Sequence, residues 1–380
     1  MLNAVDLFAG CGGLSLGFQN AGVRIRAAFE YWEAAAQCYE QNFAHPVFRV
    51  DLADTETAIK VIAAHSPDLL IGGPPCQDFS FAGKRIEADR ASLTESFAKI
   101  VEAVCPKYFV MENVDRARQS KAYASAREIY KNAGYGLTEI VLDASRCGVP
   151  QKRKRFFCIG VHGGEDDAVM DFILRGISEN EMTMRDYFGD TLPFEYYYRH
   201  PRNYNRRAIF SVDEPAPTMR GVNRPVPKGY PGNPNDACPL SEQVRALTTE
   251  ERAMIQTFPK SFVWKGSKTD VEQMIGNAVP VKLAEYVANA LMEYVGDKKD
   301  DASGFLPWLL STKELSYRSA KDILSRCNRA NGIVEYSIPD AGYIFVLEQQ
   351  DEFQKLSITV KSQIKRALRL KYEYIRGVCQ

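Results

Sequence analysis

The 380-residue chain lacks any run of about 18 consecutive apolar residues, so no membrane-spanning helix is expected. Its first residues, Met1-Leu2-Asn3-Ala4-Val5-Asp6, carry no basic segment and enter a strand pattern at once, so no signal peptide is read. The nine cysteines include no CxxC pair, which argues against a metal site and for free thiols in a reducing cytoplasm. Net charge is also missing. Lys and Arg total 48, as do Asp and Glu, so a polyanionic partner has to be met by local patches. Two patches exist: Arg199 to Lys228 has seven cations against two carboxylates, and Lys355 to Arg376 has seven against one. A solvated face is the ordinary explanation of either.

What is present has the composition of a soluble globular protein, 45% hydrophobic and 25% charged, at a length that allows more than one domain. The most informative stretch is Gly72-Gly73-Pro74-Pro75-Cys76-Gln77-Asp78-Phe79-Ser80. The apolar run Asp68 to Ile71 before it is the length of a buried strand, and the two prolines stop further ladder pairing. A cysteine on a rigid turn at a strand end is where an attacking thiolate would sit. A small buried hydrophobe is the competing reading of Cys76.

Val5-Asp6-Leu7-Phe8 reads as a strand, Ala9-Gly10-Cys11-Gly12-Gly13 as a tight turn, and Leu14 to Ala21 as a helix. Strand, glycine turn and helix form a dinucleotide-type opening, in which Gly10 and Gly12 let a ligand approach the backbone. Arg24 to Phe29 is the next strand, and Glu30 at its end suits the two hydroxyls of a ribose. Further strands are expected at Val47–Val50, Asp68–Ile71 and Tyr108–Met111, with helices around Ala34–Asn42, Thr55–Ala64 and Ser92–Val104. This alternation predicts an α/β fold with a Rossmann-like parallel sheet. Phe8, Glu30, Asp51, Cys76 and Glu112 then fall at the carboxyl ends of successive strands, the edge where such sheets bind ligands. Leu137–Leu142 and Phe156–Val161 are read as an antiparallel pair at one end. Before the second of them, Arg153 and Arg155 are spaced to point the same way, as a clamp on a phosphate or a base edge.

The residues resemble the DNA cytosine-5 methyltransferases. Six motifs stand in that family's order. The first three are Asp6-Leu7-Phe8-Ala9-Gly10-Cys11-Gly12-Gly13, Gly73-Pro74-Pro75-Cys76-Gln77 with Ser80, and Glu112-Asn113-Val114. Gln151-x-Arg153-x-Arg155 follows, then Arg245-x-Leu247-Thr248-x-x-Glu251 with Gln256-x-Phe258-Pro259, and finally Gly276-Asn277-Ala278-Val279-Pro280. They cover roughly the first 295 residues without a departure at a position of chemical importance. The resemblance implies S-adenosylmethionine as donor and cytosine C5 as acceptor. Cys76 would attack C6, Glu112 would serve N3, Arg153 would hold the pyrimidine carbonyl, and Arg155 a phosphate or an acidic partner. Phe8, Gly10, Gly12, Glu30, Tyr31, Asp51, Pro75, Leu93 and Asn277 would line the cofactor site. A cytosine inside a duplex has to be flipped out to reach Cys76. The segment with Ser80 and Arg85 is placed to close over DNA.

From about His162 to Pro239 the periodicity fades and aromatic and basic residues interleave. The resemblance places a target-recognition domain at 181–271, with Arg199, Arg206, Arg220 and Arg224 as DNA contacts. The catalytic domain is expected at 1–180, completed by a helix at 272–296 that puts Asn277 beside the cofactor. Thr248 and Glu251 form a capping box. Gly296 to Ser303 is a charged linker, and 303–380 an α-rich extension outside the resemblance. Within the extension a helix from Ser316, a strand at Tyr343–Leu347 and a basic amphipathic helix through Val360 and Ile375 are expected. Extra phosphate contacts, a partner protein and a structural cap are its three readings. Together these features describe a cytoplasmic, bacterial, restriction-modification type enzyme that acts as a monomer on duplex DNA without an obligate protein partner.

Overall fold

The computed structural model describes residues 1–75, 93–203, 205–302, 304–336 and 338–378. They form two compact units, residues 1–292 and 293–380.

The first unit is organised by strand β1 (Asn3–Leu7), which is buried along most of its length, as a central parallel strand must be. It pairs in parallel with β2 (Arg24–Phe29) on one side and β4 (Leu69–Gly72) on the other. Strand β3 (Val47–Phe48) extends the sheet beyond β2, and β5 (Tyr108–Val114) beyond β4. The expected antiparallel pair is present as β6 (Tyr135–Asp143) and β8 (Lys154–His162). Strand β8 inserts between β5 and β6, antiparallel to both, so the order is β3-β2-β1-β4-β5-β8-β6. The two-residue strand β7 (Gln151–Lys152) precedes β8 and belongs to a separate ladder.

Helices α1 (Gly13–Asn20), α2 (Glu33–Glu40), α3 (Thr55–Ala63), α4 (Leu93–Val104) and α5 (Lys121–Asn132) cover the sheet. Phe97, Phe109, Tyr130 and Tyr135 anchor one side of its core. The segment that follows has little regular structure. It contains α6 (Met170–Leu174), α7 (Met184–Phe188) and short strands β9 (Tyr196–Tyr198), β10 (Ile209–Ser211), β11 (Ala216–Pro217) and β12 (Arg245–Ala246). Strands β10, β9 and β12 make a small sheet over Tyr197, Phe210, Val212 and Leu247, while β11 pairs with β7.

The capping box is formed. Thr248 Oγ1 accepts from Glu251 N, and the Glu251 carboxylate accepts from Thr248 N, at the start of α8 (Thr249–Ile255). Helix α9 (Lys268–Asn277) and the start of α10 (Val281–Ala302) return to the main sheet. Gly13 and Gly17 of α1 allow this. A Cβ on Gly13 would stand 2.4 Å from Val279 O, and one on Gly17 2.4 Å from Ala284 Cβ.

The second unit consists of α11 (Phe305–Ser311), α12 (Tyr317–Ile333), α13 (Ala341–Glu348), α14 (Asp351–Gln354) and α15 (Ile358–Val378) around their own core of Leu309, Ile323, Leu324, Leu347, Phe353 and Leu368. Two expectations are corrected. The charged run 297–301 is helical, because α10 meets no glycine or proline between 297 and 302 and turns only at Gly304, with φ 72°. Tyr343–Leu347 is helical rather than a strand. Asp340 Oδ1 caps the helix by accepting from Tyr343 N at 2.9 Å, and Tyr343 and Leu347, one turn apart, both face the core. A short all-apolar run carries no period with which to tell these states apart.

A polar chain crosses the apolar interior beside β1. Tyr39 Oη donates to Ser15 Oγ at 2.6 Å, and Ser15 Oγ donates to Asp6 Oδ2 at 2.7 Å. Since the one tyrosine proton is thus committed, His45 Nε2, 2.7 Å from Tyr39 Oη, must be the donor there. Asp6 Oδ1 has no hydrogen-bond partner among the described residues. Burial pushes the Asp6 carboxyl up to about 7, against the pull of the Ser15 bond and with help from the Glu30 charge. Unfolded, the same group releases its proton near 3.8. The stability it contributes is therefore complete below the lower value and lost as pH rises to the upper one, about 4 kcal/mol in all. Asp6→Asn cannot ionise, so its melting temperature relative to the parent protein should climb between pH 5 and pH 8. An offset that does not change with pH contradicts this.

Candidate active site

Strands β1 and β4 are sheet neighbours whose chains leave on opposite sides, β1 toward β2 and β4 toward β5. Their carboxyl ends therefore bound a crevice at the switch point of the sheet. After β1 the backbone enters the left-handed region at Phe8 (φ 58°), Gly10 (φ 57°) and Gly12 (φ 100°), and α1 begins at Gly13. The turn is tied to β2 by Ala9 N donating to Phe29 O at 3.0 Å. A side chain at Gly10 would meet nothing within 4 Å among the described residues, so on their side the turn borders open space.

Glu30 closes the turn from below. Its Oε2 accepts from Gly10 N and its Oε1 from Trp32 N, both at 2.7 Å. Burial raises its pKa while these two N–H groups oppose the rise. Each oxygen keeps a lone pair for a further donor. Asp51 lies three residues past β3, half-buried, with Oδ1 accepting from Ala53 N at 2.9 Å. Phe8 and Leu93 are half-buried, and Phe8 packs against the sheet core. Tyr31 is 68% exposed. Asn277 is exposed at the end of α9, its Oδ1 accepting from Gln273 Nε2 at 3.0 Å. The next residues, Ala278 and Val279, lie against Gly13 at the foot of the glycine turn.

The second wall comes from β4 and β5. Pro74 is buried and Pro75 exposed. Asn113 Nδ2 donates to Pro74 O at 3.0 Å and so fixes the turn that leads to Cys76. Cys76, Ser80 and Arg85 lie outside the described residues. Glu112 is 7% exposed, and its Oε1 is ion-paired with Arg155 Nε at 2.8 Å. Its Oε2 lies 3.0 Å from where a Cβ on Gly73 would stand, so the second oxygen faces the proline turn. Burial raises the Glu112 pKa, opposed first by Arg155 and then by Arg153.

The two arginines do not form a shared clamp. Arg155, the second residue of β8, stands opposite Val114 and reaches Glu112. Arg153 falls in the break between β7 and β8, where a strand's alternation no longer applies, and is 1% exposed. Its guanidinium donates to Met219 O, Gly276 O and Ala278 O at 3.0, 2.9 and 3.0 Å. Two glutamines extend this tie. Gln151 Nε2 donates to Gln256 Oε1 at 2.7 Å and Gln151 Oε1 accepts from Met219 N at 2.8 Å, while Gln256 Nε2 also reaches Ala278 O at 3.1 Å. Neither Gln256 nor Asn113 was given a role in the sequence reading, although both stood inside its motifs.

The basic segment makes a cationic ridge. Arg199 donates to Thr218 O at 2.7 Å, and burial together with the neighbouring Arg220 pulls its pKa down to about 10. Arg220 donates to His200 O and is itself pulled down by burial, Arg202 and Arg224. Arg206 and Arg224 are exposed. Beneath the ridge Arg252 is ion-paired with the buried Glu272.

The family model for C-5 cytosine-specific DNA methylases matches residues 2–293. The Type II methyltransferase M.HindV of Haemophilus influenzae is 55% identical over 297 residues, spanning 77% of this chain and 97% of that protein. M.HgiDI of Herpetosiphon aurantiacus is 52% identical over 307 residues, 80% and 99% of the respective chains. The crystal structure of the S. pombe Dnmt2 methyltransferase shares the fold at a TM-score of 0.59 and 21% identity, covering 77% of this chain and 99% of its own. With two-walled crevice, glycine turn and Glu112–Arg155 pair carried on that shared framework, the chain belongs to the C-5 cytosine-specific DNA methylase family.

Proposed function

We propose that this DNA cytosine-5 methyltransferase moves a methyl group from S-adenosylmethionine to C5 of a flipped-out cytosine in a short specific duplex sequence, through a covalent bond between Cys76 Sγ and C6. The names of M.HindV and M.HgiDI, both Type II methyltransferases, favour a role in protecting host DNA from a cognate restriction enzyme. The observation that carries the reading is the placement of Glu112. One of its oxygens is taken by Arg155, and the other faces the proline turn that Asn113 holds, two residues before Cys76 in the sequence.

Residues of the first wall fit the donor. Glu30 is held rigidly with lone pairs to spare, which suits ribose hydroxyls, and the open space at Gly10 lets a ligand lie on the backbone. Phe8, Gly12, Tyr31, Asp51, Pro75, Leu93 and Asn277 complete this assignment. The bound donor supplies a methyl group made electrophilic by its sulfonium.

Cytosine C5 is a weak nucleophile. The Cys76 thiolate adds to C6, the 5,6 double bond shifts its electrons toward N3, and the Glu112 carboxyl donates a proton or a strong hydrogen bond there. Burial, which raises the Glu112 pKa, favours the protonated form that this needs. C5, now enamine-like, takes the methyl group, and the donor sulfur would keep the bonding pair and leave as a neutral thioether. Solvent then removes the C5 proton, the 5,6 double bond re-forms, the thiolate leaves with its electron pair, and N3 returns its proton to Glu112. Arg155, fixed on Glu112, is our candidate for the pyrimidine carbonyl, whereas Arg153 ties residues 219, 276 and 278 together. Domain boundaries follow the same division: 1–180 with 272–296 for chemistry, 181–271 for recognition. In the latter Arg199, Arg206, Arg220 and Arg224 meet duplex DNA, and Ser80 and Arg85 approach it from the catalytic side.

Cys76→Ala should abolish methyl transfer while retaining duplex binding. A duplex with 5-fluorocytosine at the target should trap a denaturation-resistant adduct, because fluorine replaces the proton that has to leave. Normal turnover by the alanine variant, or an adduct mapped by mass spectrometry to another residue, rules the mechanism out. Glu112→Gln keeps the shape but cannot supply the proton, and its kcat should fall by about 10²–10⁴-fold with DNA affinity little changed. An unaltered kcat removes Glu112 from the chemistry.

A further inference from the structure

The family match ends at residue 293, so the second unit lies outside it. Its longest helix, α15, buries Ile364, Ala367 and Leu368 and turns Arg366, Arg369 and Arg376 to solvent. At 100° per residue the three arginines share about 80° of the helix surface and span about 15 Å of its length. The one acid of α15, Glu373, falls within that stripe and is already ion-paired with Lys313 Nζ at 2.6 Å. The helix's other charges near the stripe are engaged. Lys365 pairs with Glu348 at 2.8 Å and Lys361 donates to Gln354 O at 2.7 Å. Arg366 and Arg369 make no ion pair among the described residues. Residues 304–380 hold twelve Lys or Arg against eight Asp or Glu, so this unit is net positive in a chain with equal totals.

We propose that this arginine face of α15 is a second DNA-binding surface, one that grips the phosphate backbone of duplex DNA without reading its sequence. Planar guanidinium forks match phosphate oxygens two at a time, and a row of them on one rigid helix pre-pays the entropy of alignment. The face is predominantly charged, and exposed Ile358 stands alone at the first residue of α15, about 12 Å along the helix from Arg366, where a single aliphatic side chain makes a poor anchor for a protein partner. The exposed Phe345, Val346 and Ile338 belong to other elements. The inference rests on the reading that the chain acts on duplex DNA.

The test is fluorescence anisotropy of the full chain on a duplex of arbitrary sequence, across a salt series, beside a methyl-transfer assay at saturating DNA. The exposed positions tolerate substitution, and a melting curve checks each variant. Charge reversal in Arg366→Glu with Arg369→Glu should weaken binding about tenfold near 0.1 M salt and flatten the log–log salt slope by about 2, since each phosphate contact contributes about 0.9. Arg366→Lys with Arg369→Lys should keep the slope, and saturated transfer should stay unchanged throughout. Equal affinity and slope for parent and charge-reversed proteins overturn the proposal while leaving the enzyme reading intact. Failure of the parent protein to bind or methylate duplex DNA overturns the underlying reading and this proposal with it.

Discussion

The constraint on which the site depends is the parallel pairing of β1 with both β2 and β4. A parallel sheet cannot connect neighbours by tight hairpins, so each strand has to be left by a crossover. Because the chain goes from β1 to β2 on one side and from β4 to β5 on the other, the gap between their carboxyl ends is the switch point of the sheet. The glycine turn and the proline turn face each other across it. Strand β5 then places two consecutive residues with different duties: Asn113 holds Pro74, and Glu112 meets Arg155.

Much of this was legible in the chain. Apolar runs of strand length alternating with amphipathic stretches specify a covered parallel sheet, and Gly10 and Glu30 stand just past strand ends as counted, whereas β5 runs on through Val114 and carries Glu112 inside it. The antiparallel strands β6 and β8 were legible as a pair, because no helical segment separates them. Their place in the order was not, since insertion of β8 beside β5 depends on long-range packing with no local signature. The same limit hid the fate of Arg153. Its partners are three backbone carbonyls, from Met219, Gly276 and Ala278, and a carbonyl leaves no mark on side-chain pattern.

That tie explains how an irregular segment is held in a definite place. Residues 181–271 have small apolar clusters and strands of two or three residues, too little to fix an orientation by burial alone. Gln151, Arg153 and Gln256 supply direction instead, with hydrogen bonds whose loss would leave buried amide and guanidinium groups unsatisfied. The ridge of Arg199, Arg220 and Arg224 adjoins this support, and its members depress one another's pKa values. The second unit has a different basis, a closed helical core in which the one proton of Tyr343 Oη is shared between the carbonyls of Ala330 and Val334 at the end of α12.

Methylation of cytosine C5 in a defined duplex context is the claim from which the rest follows, and bisulfite sequencing of DNA treated with the protein and S-adenosylmethionine tests it most directly. Bisulfite converts cytosine but spares its C5-methylated form. The expected result is protection confined to one cytosine of a single recurring short sequence. Complete conversion at every site, or protection scattered without a common context, contradicts it.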